Sequence, residues 1–405
     1  MNETSRSLSR AVNRSPAAFR DVRPALCIVG NSSVRLWSRN TADRLVIQFA
    51  RAGIDHVLDP EQAALGASPV IMVRADAVLD QPLVRILIER SSFILASGAP
   101  GRQVPIAAHV LASDAISVAG ILGEGRLDRV LPHLDIHSPE DLDAAFWQNL
   151  RKREVPYALL VDASNKAEVE WRSFMGTYKG ATDVVTKRLW PVPAFHVTRA
   201  LAETSITPNV VTALAALLVF VAFYCFLYGH YLPGLIAAWM MTFLDTVDGK
   251  LARTTLTASK WGDVFDHGID LIHPPFWYVA WALGLSTIGV GWASSTFWWV
   301  IGIILGGYVL QRAMEGIAIK WLDMEIHIWR PIDTHFREIT ARRNPNLVLL
   351  TLSLFVSRPD LGLIAVAAWT GICLILHAVQ LVQAFSARAR SGKLSSWMSE
   401  PLTIK

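Results

Sequence analysis

The pattern of apolar and polar positions divides the chain near residue 207. Before that point apolar runs are short and alternate with stretches of helical spacing. Beyond it most of them reach about 18 residues or more, enough to cross a bilayer as helix. Six such segments are expected, at 208–228, 233–252, 262–285, 297–320, 345–357 and 361–386, the fifth being the shortest.

The first part predicts a small α/β domain. ALCIVG (Ala25–Gly30) predicts a buried strand running into a turn. Thr41 to Ala52 has helical spacing, with Leu45, Phe49 and Ala52 on one side. PVIMVRAD (Pro69–Asp76) predicts a second strand and Pro82 to Arg90 a second helix. SFILASG (Ser92–Gly98) and VPIAAHVL (Val104–Leu111) predict two more strands. Such alternation predicts a mainly parallel sheet covered by helices. The order resembles a nucleotidyltransferase of the sugar-nucleotide type, in which a Gly-rich turn after the first strand cradles a nucleoside triphosphate. Here that turn is GNSSVRLW (Gly30–Trp37), with one glycine and no Gly-x-Gly-x-Arg, while Asp76 falls where such enzymes hold a metal. The resemblance therefore implies a degenerate, noncatalytic module, because a phosphate cradle needs glycines for close backbone approach.

Residues 1–21 are expected to be disordered. They hold no apolar h-region, so no cleavable signal peptide is expected. Residues 138–190 are expected to form a helical connection, its start marked by Ser138, Pro139 and the acids that follow. FHVTRALAETSI (Phe195–Ile206) is amphipathic and is expected to lie on a membrane surface. The expected plan is a disordered 1–21, an α/β domain at 22–160, connecting and surface helices at 161–206, a six-helix membrane domain at 207–390 and a tail at 391–405.

Charge refines this picture. The net charge of +4 is too modest to suggest nucleic-acid binding. The loop at 250–262 carries Lys250, Arg253 and Lys260; the loop at 320–343 carries Lys320, Arg330, Arg337, Arg342 and Arg343; the tail carries Arg388, Arg390 and Lys393. The turns around Gly229–Tyr231 and Ser286–Ser295 carry no Lys or Arg, and Arg358 alone breaks the alternation. The excess of positive charge on one side then places both termini and the α/β domain in the cytoplasm, with the chain in the inner (cytoplasmic) membrane. Cys27, Cys225 and Cys373 are too far apart in sequence to suggest a metal spacing or a disulfide framework.

The candidate chemistry lies in DTVDGKLARTTLTASKWGDVFDHGID (Asp245–Asp270), at the cytoplasmic ends of the second and third segments. Asp245, Asp248 and Ala252 are spaced three and four apart and share a helix face; Asp266 and Asp270 share a face of the next helix, with Gly262 one turn earlier. The connection is short, so an antiparallel pair can bring four carboxylates together. Carboxylates in apolar surroundings need metal, protein partners or water. Clustered hard oxygen ligands suit Mg²⁺, Mn²⁺ or Ca²⁺, and two divalent ions nearly balance four negative charges. Such ions commonly hold phosphates, which points to a diphosphate substrate. Gly249 lets a ligand approach the backbone, Ala252 keeps the face open, and Arg253 can grip a phosphate with its forked donors. Asp263 suits a helix start, where an acid favours the dipole. His273, Arg312 and Glu315 lie inside apolar segments as candidate cavity residues. An ion-coupled transporter, the alternative class, would spread its acids through membrane depth, whereas these gather at one end.

The pattern Asp-x2-Asp-Gly-x2-Ala-Arg-x8-Gly-x3-Asp-x3-Asp resembles the signature of the CDP-alcohol phosphotransferases (the CDP-alcohol phosphatidyltransferase family). Asp245, Asp248, Gly249, Ala252, Arg253, Gly262, Asp266 and Asp270 fill its fixed positions. The resemblance covers about 190–390 and implies an α-helical integral membrane enzyme of phospholipid biosynthesis, acting as a homodimer. It implies that an acceptor hydroxyl attacks the β-phosphate of a CDP-alcohol, CDP-diacylglycerol or a polar CDP-alcohol, and that CMP leaves. It implies two Mg²⁺ or Mn²⁺ ions, one held by Asp245, Asp248 and Asp266, the other by Asp245, Asp266 and Asp270. Asp270 would also take the proton of the attacking hydroxyl. Gly249, Ala252, Arg253 and Ser259 would surround the CDP moiety. TPNVVT (Thr207–Thr212) resembles the start of the family's first span, which makes Asn209 and Thr212 nucleotide contacts. FDHGID (Phe265–Asp270) resembles the choline/ethanolamine branch, with His267 a further proton-transfer candidate. Arg330, Arg337, Arg342 and Arg343 could bind an anionic acceptor such as an inositol or glycerol phosphate, or anchor the loop at the membrane face. A bifunctional enzyme whose α/β domain also makes the CDP-alcohol stays open as an alternative.

Overall fold

The structure, a computed structural model, describes residues 23–99, 101–142 and 145–400, without the side chains of Lys260, Asp263, Asp266 and His267. The expectation for residues 1–21 lies outside the described residues. The chain forms two compact units. One runs to Trp147 and includes Glu154–Gly176; the other comprises Gln148–Arg153 and Thr177 onward.

The first unit is built on a six-stranded sheet. Its strands are β1 (Ala25–Val29), β2 (Val57–Leu58), β3 (Val70–Arg74), β4 (Phe93–Ser97), β5 (Val104–Val110) and β6 (Asp135–His137), in the spatial order β2-β1-β3-β5-β4-β6. Alternate residues face opposite sides, as strand geometry requires. Leu26, Ile71 and Val73 pack with Leu45 and Phe49 of helix α1 (Thr41–Arg51) and with Leu83 and Leu87 of α2 (Gln81–Glu89). Cys27, Val70 and Met72 enter the second core with Val118 and Leu122 of α3 (Ala115–Glu124). Burial on both faces explains the unbroken apolar runs of β1 and β3. The sheet is mainly parallel, as expected, with one reversed strand: β5 pairs antiparallel with both β3 and β4. The six residues between β4 and β5 are too few for a crossover helix, so β5 must return alongside its predecessor.

The expected helix after Ser138 is a single 3₁₀ turn, Pro139–Asp141. The capping box is present, with Asp141 Oδ2 accepting from the Ser138 backbone N–H at 2.8 Å. A capping box marks where a helical turn opens but not how far it runs. Here Leu142 drops into the first core and ends it. The unit closes with α4 (Lys166–Gly176).

The second unit is helical. Six long helices lie over the six apolar segments: α6 (Pro208–Leu227), α7 (Tyr231–Thr254), α8 (Lys260–Gly284), α9 (Ser294–Leu322), α11 (Arg343–Phe355) and α12 (Pro359–Ser391). A seventh, α5 (Pro191–Ala202), precedes them, and α10 (Pro331–Ile339) lies between α9 and α11. α5 starts and ends about four residues before the expected surface helix. Pro191 and Pro193 begin it rather than interrupt the chain, since a first-turn proline forfeits no intrahelical bond. α6, α9 and α12 are long and apolar enough to cross a membrane. α7 and α8 carry the charged motif, and α11 has only 13 residues.

Packing positions the motif. α6 and α7 are joined through Tyr228–His230 and lie side by side. At the far end of α8, a Cβ on Gly284 would meet Phe226 O at 2.0 Å, so only glycine allows that approach. The indole N–H of Trp277 donates to Val219 O (3.0 Å) and that of Trp281 to Pro359 O (2.9 Å), fastening α8 to α6 and to the start of α12. Pro275 lacks the N–H that would bond to Leu271 O four residues earlier. Tyr308 Oη of α9 donates to that carbonyl instead, at 2.8 Å.

Candidate functional site

The end of α7 and the start of α8 form one wall of a cavity of about 410 Å³. Asp245, Asp248 and Asp270 line it, as do Asn209, Thr212, Gly249, Ala252, Arg253, Ser259 and Gly262. The side chain of Asp266 lies outside the described residues. The helical spacing therefore places every other residue singled out for the cation or the nucleotide around one space.

Asp245 and Asp270 converge on one guanidinium. Arg343 Nη2 donates to Asp245 Oδ2 at 2.6 Å, and Nη1 donates to Asp270 Oδ1. Asp248 is buried; its Oδ2 accepts from Thr212 Oγ1 at 2.6 Å. Its Oδ1 is buried with no hydrogen-bond partner among the described residues. A buried, half-satisfied carboxylate beside two others fits a hard divalent cation, for which oxygen is the preferred donor. The visible work of Thr212 is thus to hold Asp248. Thr212→Val keeps the shape and removes the donor. It is expected to cost about 1.5–3 kcal/mol, the worth of a hydrogen bond to a charged group, and Thr212→Ser should restore most of it in thermal unfolding of the detergent-solubilised protein.

Small residues let the walls approach. A Cβ on Gly249 would lie 2.9 Å from Arg253 Nη2, so the guanidinium rests over that glycine. A Cβ on Gly262 would meet Ser259 Oγ at 3.2 Å and Asn209 Oδ1 at 3.4 Å. Ser259 caps α8 by accepting from Gly262 N at 3.1 Å.

The basic cluster divides. Arg330 is held by Asp333 through two bonds of 2.9 Å and belongs to α10's own capping. Arg337, Arg342 and Arg343 line the cavity with Arg312. Arg342 pairs with Glu315, which also accepts from Arg312 Nη1 at 3.0 Å and lies 3.0 Å from His327 Nε2. Glu315, His327 and His377 bring one ligand atom each within 4.8 Å of the others. Both Glu315 oxygens are taken by guanidinium N–H groups, so the trio supports Arg342 rather than offering a cation site. Burial holds the His327 imidazole neutral, its pKa pulled down to about 3. Arg337 is buried, and its Nε and Nη1 have no hydrogen-bond partner among the described residues. Burial pushes its pKa, like that of Arg342, downward. A guanidinium nevertheless keeps its proton inside proteins, so this burial calls for an anion. His273 packs elsewhere, its Nδ1 2.7 Å from Ile269 O and its ring edge-on to Trp277.

Arg343 between the acids was legible only as part of a basic loop. Tyr178, Lys179 and Asp183 also line the cavity, together with Lys250 and Arg151. Apart from Lys250 they lie before the motif, in stretches without a regular pattern, and nothing in the sequence assigns them to the site.

Comparison with known proteins agrees with this geometry. The family model for CDP-alcohol phosphatidyltransferase matches residues 205–340. An archaetidylinositol phosphate synthase of Pyrococcus horikoshii is 35% identical over 122 residues. That match spans 62% of the relative's length and 30% of this chain. The family match spans the whole motif, Asp245–Asp270, so the part of the chain that builds the acidic wall of the cavity is similar to a CDP-alcohol phosphatidyltransferase domain.

Proposed function

We infer that the second unit is a membrane phosphotransferase of phospholipid biosynthesis. It moves a substituted phosphate from a CDP-linked lipid to the hydroxyl of an acceptor that itself carries a phosphate. The observation that carries this reading is the pairing, around one cavity, of the carboxylates of Asp245, Asp248 and Asp270 with the unsatisfied guanidinium of Arg337. The first group suits a cation-held diphosphate and the second an anionic head group. The name of the archaeal relative, with its inositol phosphate, supports the second half. Leu271 and Pro274 line the same cavity, and Leu271, Ile272 and Phe276 are exposed on α8, which suits a donor with apolar chains.

Mg²⁺ or Mn²⁺ held by Asp245, Asp248, Asp266 and Asp270 would supply counter-charge to the diphosphate. Arg253, resting over Gly249, grips a donor phosphate, while Asn209 and Ser259 border the nucleotide. Asp270 takes the proton from the acceptor hydroxyl as its oxygen bonds to the β-phosphorus. The bond from that phosphorus to the oxygen bridging to CMP breaks, and CMP leaves with the bond's electron pair. Arg337 and Arg342 hold the acceptor's phosphate.

The six long helices cross the inner membrane, with the motif, both termini and the α/β unit on the cytoplasmic side, and the enzyme acts as a homodimer. The α/β unit is a noncatalytic, nucleotidyltransferase-like module. Asp76, the one candidate for a metal there, is held by Arg74 through bonds of 3.0 and 2.8 Å.

The test is CMP release by the purified full-length protein with Mg²⁺ or Mn²⁺, across a panel of donors and acceptors. CDP-diacylglycerol with inositol phosphate or glycerol phosphate should release CMP, with the product identified by mass spectrometry. Release with CDP-choline or CDP-ethanolamine alone, or only with unphosphorylated acceptors, would overturn the reading.

A further inference from the structure

Part of the cavity is built by chain that lies outside the matched domain of residues 205–340. The stretch Gln148–Arg153 interrupts the first unit and belongs to the second, where it meets the residues after Thr177. Gly180 N donates to Leu150 O at 2.9 Å and Ala181 N to Arg151 O at 3.1 Å. A Cβ on Gly180 would lie 2.5 Å from Arg151 O and 2.7 Å from Lys152 Cα, so the two backbones touch where only glycine fits. Arg151 itself has a left-handed backbone, φ 47°. Residues without a Cβ penalty normally occupy that region, so the surrounding contacts hold it there.

This brace is fixed to the motif and to the basic wall. Lys250, two residues after Asp248, donates to Thr177 O at 3.0 Å and lies 3.2 Å above the centre of the Tyr178 ring. Asn344, next to Arg343, donates to Asp183 Oδ1 at 3.0 Å. Lys187 donates to Glu338, beside Arg337, at 2.6 Å. The result is that Arg151 reaches the cavity with its side chain only 19% exposed, held by Glu325 Oε2 at 2.9 Å. Its charge acts on both Arg337 and Arg342.

We propose that Arg151 is a specificity-determining residue, delivered by the Gln148–Arg153 stretch to complete the anion-binding wall formed by Arg337 and Arg342. This rests on the reading of that wall as the acceptor's phosphate site. Like charges are gathered against one another here at a cost, and a dianion bridging them turns that cost into affinity. A donor site bounded by Asp248, Gly249 and Arg253 does not depend on Arg151. The acceptor half does.

The test measures binding of inorganic phosphate, glycerol 3-phosphate and CMP to the full-length protein by calorimetry, with Mg²⁺ present. It compares the unaltered protein, Arg151→Gln, Arg151→Lys and Arg337→Gln, with melting temperature as a second readout. Arg151→Gln should weaken both phosphate probes about tenfold or more, the worth of one charge-assisted hydrogen bond, and leave CMP binding unchanged, while loss of the pair with Glu325 lowers the melting temperature by an amount that Arg151→Lys restores. Arg151→Lys should recover part of the loss. If Arg337→Gln weakens the phosphate probes and Arg151→Gln does not, the proposal fails while the acceptor site stands. If Arg151→Gln lowers CMP binding and melting temperature along with phosphate binding, and Arg151→Lys does not restore them, the residue is a structural brace and the proposal fails. If the unaltered protein binds CMP but neither phosphate probe, the acceptor reading itself falls, and the proposal with it.

Discussion

Asp270→Asn is expected to abolish turnover while leaving donor affinity close to that of the unaltered protein. The reason lies in how differently the three described acids are placed. Asp248 is 3% exposed and bonded to Thr212, and the Asp245 side chain is 15% exposed. The Asp270 side chain is 40% exposed, so it alone of the three presents a large surface to an arriving hydroxyl. Asparagine keeps the volume and one acceptor oxygen for Arg343 but cannot take up a proton. Losing a positioned general base costs about 10²–10⁴-fold in rate. CMP release should therefore fall into that range or below, while calorimetry with a CDP-linked donor and Mg²⁺ should show affinity within about threefold, since the other ligands remain. Turnover near the unaltered rate would remove Asp270 from the proton-transfer role. Loss of donor binding in step with turnover would make it a binding residue only.

The split between what the sequence disclosed and what it withheld follows from the range of each interaction. Asp245, Asp248, Gly249, Ala252 and Arg253 are legible because a helix repeats every 3.6 residues, so spacing alone puts them on related faces. The helices α6, α9 and α12 are legible because apolar length is a local property. The parallel sheet was legible too, but the reversal of β5 was not, since it depended on how few residues separate Ser97 from Val104. The helix expected after Ser138 failed for a similar reason. Its opening signal is confined to four residues, and the fate of Leu142 was decided by a core assembled from elsewhere in the unit. Within the site, what the sequence withheld arrives from a distance, including the pairing of Arg343 with two acids rather than with an acceptor's anion. Arg343 is 98 positions from Asp245 and 73 from Asp270. Arg151, Tyr178 and Asp183 precede the motif, and only tertiary contacts such as Gly180 against Arg151 bring them in. Thr212 was legible as a position but not in its role, because a threonine in an apolar helix gives no sign of the carboxylate it meets on the neighbouring one.

Arg343→Gln should produce the other large effect, and its readout is stability rather than rate. The guanidinium is the shared partner of Asp245 and Asp270, with its side chain 15% exposed. Removing one partner of a buried ion pair typically costs about 3–5 kcal/mol, because the other charge stays behind without compensation. Here two carboxylates would be left facing each other, so the cost belongs at the upper end of that range. In EDTA the variant's melting temperature should fall sharply. Saturating Mg²⁺ should recover much of the loss, since a cation that binds only the folded acids stabilises it, by about 1.4 kcal/mol for each tenfold excess over its dissociation constant. The Mg²⁺-induced rise should be larger in Arg343→Gln than in the unaltered protein, where the guanidinium already supplies counter-charge. Arg343→Lys should fall between them, because a single ammonium cannot span both acids with a fixed fork. Equal melting temperatures of Arg343→Gln and the unaltered protein in EDTA would show that the acids do not depend on this guanidinium. A variant that Mg²⁺ fails to stabilise at all would show that the acids gathered by α7 and α8 do not form a cation site.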